Sequence, residues 1–154
     1  MIQWQIKRFA ELDALTLYQL LKLRVDIFVV EQSCPYPELD NKDLAPDALH
    51  LLGWRDDALV AYARILPPGV SYPEASIGRV AVAEAARGGG NARQLMAQAI
   101  EAALAQWPDA GIRIGAQQYL EGFYGSLGFA AVSDVYLEDG IPHLDMLFNK
   151  ELMS

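Results

Sequence analysis

The chain has 154 residues, 53% of them hydrophobic, and a formal net charge of −8 at pH 7. This size and composition fit one globular domain over residues 1–154 and exclude a disordered chain. No apolar run reaches the ~18 residues of a transmembrane helix, and the first residues, MIQWQIKRF, lack the pattern of a signal peptide. We therefore expect a cytoplasmic protein without a membrane partner, and the acidic balance argues against a nucleic-acid partner.

The first half of the chain predicts a strand, a helix, a long loop and a pair of strands. Residues 4–9 predict the strand, and residues 12–28 carry apolar side chains at helical spacing. Residues 31–48 hold three prolines and several acids, and they predict a loop too long to be a mere connection. Residues 50–56 and 58–66 predict two antiparallel strands joined by a tight turn.

The second half predicts alternating strands and helices. In chain order these are a strand at 76–83, a helix from about Gly90 to Gln106, a strand at 111–117, a short helix at 119–128, a strand at 129–138 and a last strand at 142–150. Strands outnumber helices, and their mixed order predicts an α/β fold in one domain.

Three consecutive glycines, Gly88 to Gly90, separate the strand at 76–83 from the following helix. A nucleotide-binding P-loop would require a lysine and a hydroxyl residue after the glycines, and a dinucleotide fold would require Gly-x-Gly-x-x-Gly early in a βαβ unit. Neither pattern is present. The run from Arg87 to Ala92 instead matches Arg/Gln-x-x-Gly-x-Gly/Ala, in which backbone N–H groups at a helix start form a cradle for pyrophosphate. The alternative is a loop that needs glycine only for packing.

Together with a later segment, this motif resembles the GNAT N-acetyltransferases, which bind acetyl coenzyme A. Val82 precedes Arg87 by five residues, as in the family pattern, and Tyr124-x-x-x-Gly128-Phe129 matches the family's Tyr-x-x-x-Gly-Phe element. Three further stretches are similar to the small bacterial ElaA-type branch of the family: LRVDIFVVEQ at 23–32, VAYARIL at 60–66 and EDGIPH at 138–143. The family often has asparagine seven residues before the tyrosine, where this chain has Gln117.

The resemblance implies a single-domain GNAT fold and a coenzyme A site. The expected sheet is mixed and mostly antiparallel, with six to seven strands, about four flanking helices and a splayed strand pair that holds coenzyme A. The implied cofactor contacts are the backbone of Val80 and Val82 for pantetheine, the N–H groups of Arg87, Gly88, Gly89, Gly90, Asn91 and Ala92 for pyrophosphate, and the side chains of Gln117 and Tyr124. Acetyl-CoA is the implied co-substrate, without a metal.

The reaction that the resemblance implies is aminolysis of the thioester by a primary amine of a small molecule or peptide. Tyr124 stands in the family's general-acid position, although it could be only a packed aromatic. Glu31 and His143 are the candidate bases, since both lie in segments expected to border the acceptor cleft. Glu31 could equally bind a cationic acceptor or be solvated, and His143 could be structural.

Other classes of function stay open at this level. One is an acyl-CoA-binding module without catalysis, and another is an acyl-homoserine lactone synthase, because these share the fold. A homodimer is also compatible with the resemblance.

Two expectations concern the charged residues. We expect Glu31 and the loop acids Glu38, Asp40 and Asp43 to form an acidic mouth near His143 that favours cationic acceptors. We also expect the arginines inside predicted elements to pair internally; these are Arg24, Arg64 and Arg79, with Asp26, Glu31 and Glu74 as the expected partners.

Overall fold

The computed structural model describes residues 1–149, which form one eight-stranded sheet with helices on both faces. The strands are β1 (Gln3–Lys7), β2 (Leu49–Arg55), β3 (Ala58–Leu66), β4 (Ala75–Val82), β5 (Ile112–Gln117), β6 (Phe129–Ala131), β7 (Tyr136–Glu138) and β8 (Ile141–Phe148). The α-helices are α1 (Ala14–Val25), α2 (Asn91–Gln106) and α3 (Glu121–Ser126). A π-helical segment, Asp26–Glu31, continues α1, and short 3₁₀ turns lie at Phe9–Glu11, Lys42–Leu44, Glu84–Ala86 and Gln118–Leu120.

The sheet is antiparallel except at one point. Its strand order is β1-β2-β3-β4-β5-β8-β6, and β7 pairs with the other part of β8. The neighbours β4 and β5 are parallel, and they pair only at Ala75 with Ile112 and at Ser76 with Arg113. Beyond Ser76 the two strands diverge, so the sheet is open between them. The predicted fold class, including the splayed pair, is confirmed.

The core lies on both faces of the sheet. Helix α2 buries its apolar side, which is Leu95, Met96, Ala99, Ile100 and Ala103, against alternate residues of the central strands. Helix α1 packs on the opposite face, where Leu20 meets Leu52 and Tyr62. Asp13 caps the start of α1, because its carboxylate accepts a hydrogen bond from the Thr16 N–H at 2.7 Å. No helix among residues 1–149 is long and apolar enough to span a membrane.

Several element boundaries differ from the expectations. The strand predicted at 129–138 is two strands, β6 and β7, so the sheet has eight strands and not six or seven. The helix predicted to end at residue 28 continues to Glu31 with π geometry, and the described chain has three α-helices where about four were expected. The last predicted strand, 142–150, is Ile141–Phe148, and Lys150 lies outside the described residues.

Candidate active site

A cleft of about 660 Å³ opens where β4 and β5 diverge. It is lined by the sheet, by the π-helical segment with the loop that follows it, and by the turn between β7 and β8. Eight of the predicted site residues line this cleft, namely Glu31, Val80, Val82, Arg87, Ala92, Gln117, Tyr124 and His143. The other four, Gly88 to Asn91, are not part of the wall but directly follow Arg87.

The glycine turn adopts a backbone that only glycine tolerates easily. Gly88, Gly89 and Gly90 have φ values of 88°, 61° and 78°, and a Cβ added to any of them would meet nothing within 4 Å. Close contact with neighbouring atoms therefore does not require glycine at these positions, but the left-handed backbone conformation does. Among residues 1–149, the N–H groups of the three glycines have no hydrogen-bond acceptor. They form an open row of donors at the start of α2, as an anion site requires.

Asn91 and Arg87 hold this turn in place. The Asn91 side chain donates a hydrogen bond to the Ala86 carbonyl at 2.7 Å, and its backbone N–H donates to the Gly88 carbonyl at 3.3 Å. Arg87 folds back, and its Nε donates to the Val82 carbonyl at 3.0 Å. Both residues therefore brace the backbone between β4 and α2.

The edge of β4 that faces the splay presents backbone groups of Val82. The Ala83 N–H donates to the Val60 carbonyl of β3 at 2.8 Å. Because successive residues of a strand point their N–H groups to opposite edges, the Val82 N–H is directed to the side of β5. Val80 lines the same cleft two residues earlier.

A β-bulge interrupts β4 just before these residues. Tyr62 pairs with Ala81 and Arg64 with Gly78, which leaves Arg79 and Val80 opposite a single residue of β3. Arg79 has a φ of 51°, a conformation unfavourable for a residue with a long side chain. Its guanidinium is held by Glu38 at 2.9 Å and by the Glu38 carbonyl at 3.0 Å. The loop of Glu38 therefore fixes the irregular part of the strand.

Tyr124 lines the cleft and has a free hydroxyl there. It belongs to α3, is only 8% exposed, and packs its ring edge-on against Phe123 and Phe129. Its hydroxyl has no hydrogen-bond partner among the described residues. Burial raises the pKa of Tyr124 to about 12, so the hydroxyl keeps its proton at neutral pH and can donate a hydrogen bond.

Glu31 and Arg87 form an ion pair across the cleft mouth. The π-helical segment ends at Glu31, and both carboxylate oxygens lie 2.8 Å from the Arg87 guanidinium. Both side chains are close to half exposed. Hydrogen bonds from Arg87 lower the pKa of Glu31, which makes its carboxylate a weaker proton acceptor.

His143 lies opposite Gln117 in the register between β8 and β5. It is 7% exposed, and its Nδ1 donates to the Ile141 carbonyl at 2.7 Å. A carbonyl can only accept, so Nδ1 carries the hydrogen and Nε2 of the neutral ring has a free lone pair. Nε2 lies 3.6 Å from the Glu138 carboxylate. Gln117 points its amide at Gln32 at 3.4 Å, across the cleft floor.

The acids of the loop do not form an acidic mouth, and this expectation is wrong. Arg24 is fully buried, and it lies 2.6 Å from Glu38 and 2.7 Å from Asp43. Arg64 lies 2.8 Å from Asp40 and 3.1 Å from Asp43. Burial alone would raise the pKa of Asp40, but hydrogen bonds and charge from Arg64 outweigh it and hold that pKa at about 2.

The three arginines do pair internally, but with other partners than expected. Their carboxylates come from the loop, whereas Asp26 pairs with Lys22 at 2.6 Å on the surface and Glu31 pairs with Arg87. Ion pairs between the loop carboxylates and these arginines thus hold the loop against α1, β3 and β4. In the described part of the chain, no group of three or more His, Cys, Asp or Glu side chains is placed to hold a metal ion.

Comparison with known proteins agrees with this architecture. The model of the "Acetyltransferase (GNAT) domain" family matches residues 26–150. The chain is 49% identical over 146 residues to "Protein ElaA" of Escherichia coli (strain K12), covering 95% of each chain. The crystal structure of E. coli ElaA superposes with a TM-score of 0.91 at 48% identity, covering 97% of this chain and all of the other.

A second solved structure is equally similar, and more distant ones share the fold. An acyl-CoA N-acyltransferase from Pseudomonas aeruginosa has a TM-score of 0.92 and 46% identity, with 97% of this chain and 100% of that chain covered. At 15% identity, an aminoglycoside 6′-N-acetyltransferase complexed with coenzyme A (TM-score 0.69, 93% and 95% covered) and the AHL synthase LasI (0.73, 96% and 89%) show the fold alone. The chain belongs to the GNAT acetyltransferase family and is an acyltransferase.

Proposed function

We propose that this acyltransferase uses acetyl-CoA and transfers the acetyl group to a primary amine of a small molecule or peptide by direct attack on the thioester. The observation that carries this proposal is the unpartnered hydroxyl of the largely buried Tyr124 beside the gap between β4 and β5. A donor kept protonated in that position suits a leaving group that becomes an anion, as a thiolate does.

The cofactor would occupy the gap in the sheet. The free N–H groups of Gly88, Gly89 and Gly90 would hold the pyrophosphate, and the edge of β4 at Val80 and Val82 would pair with the pantetheine amides. Gln117 would contact the arm from β5. The splay and the row of free donors support this assignment, since a parallel pair interrupted after two residues leaves edge groups that need partners.

The chemistry then needs three contributions from the chain. A neutral amine attacks the acetyl carbonyl, and the Val82 N–H would stabilise the oxyanion that forms. The Nε2 of His143 takes the proton from the attacking nitrogen. As the carbonyl reforms and the C–S bond breaks, its electron pair moves to sulfur, and the hydroxyl of Tyr124 would donate a hydrogen bond to the departing thiolate.

Glu31 receives a different role from that of a base. Its carboxylate is paired with Arg87, and hydrogen bonds from Arg87 lower its pKa, which makes it a weaker proton acceptor than a free carboxylate. Glu31 would instead position Arg87 between the glycine turn and the acceptor side of the cleft.

A panel of amines tests this function. Thiol release from acetyl-CoA would be followed with polyamines, amino acids, aminoglycosides and peptide amino termini, and products would be identified by mass spectrometry. We expect turnover with at least one amine, and loss of most of it in Tyr124→Phe. Binding of acetyl-CoA without turnover would favour the non-catalytic module, and an acyl-homoserine lactone product would favour the synthase. Absence of both binding and turnover would contradict the acetyl-CoA proposal itself.

A further inference from the structure

Most of the charged side chains along the cleft are paired with one another. Lysine, arginine, aspartate and glutamate make up eight of the residues that line it. Five of these form ion pairs with each other, namely Glu31 with Arg87, and Asp40 with Arg64 and Arg79. Within residues 1–149, the other three form no ion pair with a lysine, an arginine or a carboxylate. One of the three is a cation and two are acids.

Lys42 is the unpaired cation. It begins the 3₁₀ turn Lys42–Leu44 in the loop before β2, is half-buried and lines the cleft. Its ammonium donates a hydrogen bond to the Ser71 hydroxyl at 2.8 Å. An ammonium has three donors, so two are left for a ligand. Because Ser71 is neutral, it holds the flexible side chain in place without cancelling its charge, and the pair is preorganised for an anion.

The two unpaired acids lie at the other end of the cleft. Glu138 ends β7 and Asp139 follows it, and Glu138 lies 3.6 Å from Nε2 of His143. Since the neutral ring carries its hydrogen on Nδ1, it does not compensate the Glu138 carboxylate. Two carboxylates at this end attract a cationic amine to the side of the proposed base.

The register of the sheet gives the distance between the two ends. His143 pairs with Gln117, the last residue of β5. Arg113, near the start of β5, pairs with Ser76, five residues after Ser71. From Gln117 to Arg113 the strand advances about 13 Å at 3.3 Å per residue. Residues of both ends line the same cavity, so the cleft is continuous between them.

The middle of the cleft is polar. The hydroxyls of Tyr72 and Tyr136 both lie 3.2 Å from the position that a Cβ of Gly115 would take, so they fill the space directly over that glycine. Tyr72 itself lines the cleft, as does Tyr36 of the loop. A molecule that spans the cleft therefore passes along tyrosine hydroxyls, which suit the N–H and C=O groups of peptide bonds better than a plain alkyl chain.

We propose that Lys42 and Ser71 bind a carboxylate of the acceptor, and that the acceptor is an elongated molecule with its amine at one end and this carboxylate at the other, such as a free tri- or tetrapeptide. This inference rests on the proposed function, because it assumes that the amine reacts beside His143. Three to four extended residues span roughly 10–14 Å, which matches the length of the cleft. One ammonium and one hydroxyl match the single charge of a carboxylate, whereas a phosphate group would leave part of its charge of about −2 unpaired.

The test compares triglycine and tetraglycine with their C-terminally amidated forms, which keep the length and the amine but lack the carboxylate. The proteins are the wild type, Lys42→Gln, Lys42→Arg, which keeps the charge, and Lys7→Gln, which removes the same charge from β1 outside the cleft. Thiol release from acetyl-CoA gives kcat/KM for each peptide. Calorimetry on protein saturated with coenzyme A gives peptide affinity without turnover.

We expect the wild-type protein to use and bind the free peptides at least about 10-fold better than the amides, the effect of a hydrogen bond between charged groups. Lys42→Gln should reduce this preference to less than about 2-fold, mainly by weakening the free peptides, and Lys42→Arg should keep most of it. Lys7→Gln should leave it unchanged.

Equal use of free and amidated peptides by the wild type would overturn the inference while the acetyl-CoA function stands, and this comparison decides even where a variant does not fold. An undiminished preference in Lys42→Gln, or turnover of other amines without binding of any free peptide, would overturn it as well. Absence of thiol release with every amine would instead remove the proposed function. A preference for free peptides that is seen by calorimetry and lost in Lys42→Gln would still support the carboxylate site in that case.

Discussion

Tyr124→Phe separates the catalytic contribution of one hydroxyl from its contribution to folding. The ring packs against Phe123 and Phe129 with centroid distances of 5.2 and 6.0 Å, and phenylalanine preserves these contacts. The hydroxyl makes no hydrogen bond within the described chain, so its removal leaves no orphaned partner. We expect the free energy of unfolding to change by less than about 0.5 kcal/mol.

The size of the kinetic effect follows from the pKa of the hydroxyl. With a pKa of about 12, Tyr124 holds its proton about 3.5 units more tightly than a thiol of pKa about 8.5, which is about 5 kcal/mol. Complete transfer to the thiolate is thus unfavourable, and the hydroxyl acts mainly as a hydrogen-bond donor to the developing charge. A hydrogen bond to a charged group contributes about 1.5–3 kcal/mol, which corresponds to a fall in kcat of roughly 10- to 10²-fold.

Steady-state thiol release at saturating acetyl-CoA and amine measures this effect, and urea unfolding provides the control. The KM for acetyl-CoA should stay within about 3-fold, since the interaction is strongest in the transition state. A Tyr124→Phe variant with more than half of the wild-type kcat would refute the reasoning and leave Tyr124 as a packed aromatic. Loss of stability by more than 2 kcal/mol would show that the hydroxyl has a partner in the fold.

Four further outcomes are expected. Gly90→Val should weaken acetyl-CoA binding in calorimetry by about 10-fold or more, because valine resists a φ of 78° and adds bulk at the cradle; unchanged affinity in a folded variant would contradict the cradle. Glu31→Gln should raise the KM for acetyl-CoA a few-fold with kcat nearly unchanged, since it frees Arg87, whereas a loss of 10² in kcat would restore Glu31 as the base. His143→Ala should lower kcat by about 10²-fold with partial rescue by added imidazole, and full activity without imidazole would exclude it as the base. The ion pairs of Asp40 should contribute about 2 kcal/mol above about pH 4, because its pKa falls from 3.8 unfolded to about 2 folded, and this contribution should disappear as the pH falls from 4 to 2; urea melts of Asp40→Asn should show a shallower loss across that window.

The sequence predicted those parts of the fold that local patterns specify. The alternating and helical apolar spacings gave the strands and helices, and the Arg87–Ala92 motif marked a turn that is open and rich in free N–H groups. The break between β6 and β7 was not predicted because most of residues 129–138 are apolar, as in a single strand. At this break the Asp145 N–H donates a hydrogen bond to the Ser133 hydroxyl at 2.8 Å. The two residues are twelve positions apart, so a local sequence pattern does not reveal the bond.

The ion network escaped prediction for a different reason. Apolar periodicity does not indicate which carboxylate pairs with which arginine. The acids expected as partners, which were chosen partly for their closeness in the sequence, are not the ones that pair with these arginines. Arg24 is 14 positions from Glu38, and Arg79 is 41 positions from the same carboxylate. A weaker signal was available: three arginines inside regular elements faced three acids in one long loop, and buried charges require pairing.

The bulge in β4 has a consequence for altering which acceptor this protein uses. The loop after Glu31 lines the cleft on the side that we propose for the acceptor, so it is a natural segment to exchange between relatives. The same loop supplies the carboxylate that keeps Arg79 in its left-handed conformation, and that conformation sets the direction of the backbone at Val80 and Val82. A chimera that replaces the loop without Glu38 would release the strand on which the thioester is expected to lie. A successful exchange therefore has to move Arg79 and its partner Glu38 as one unit.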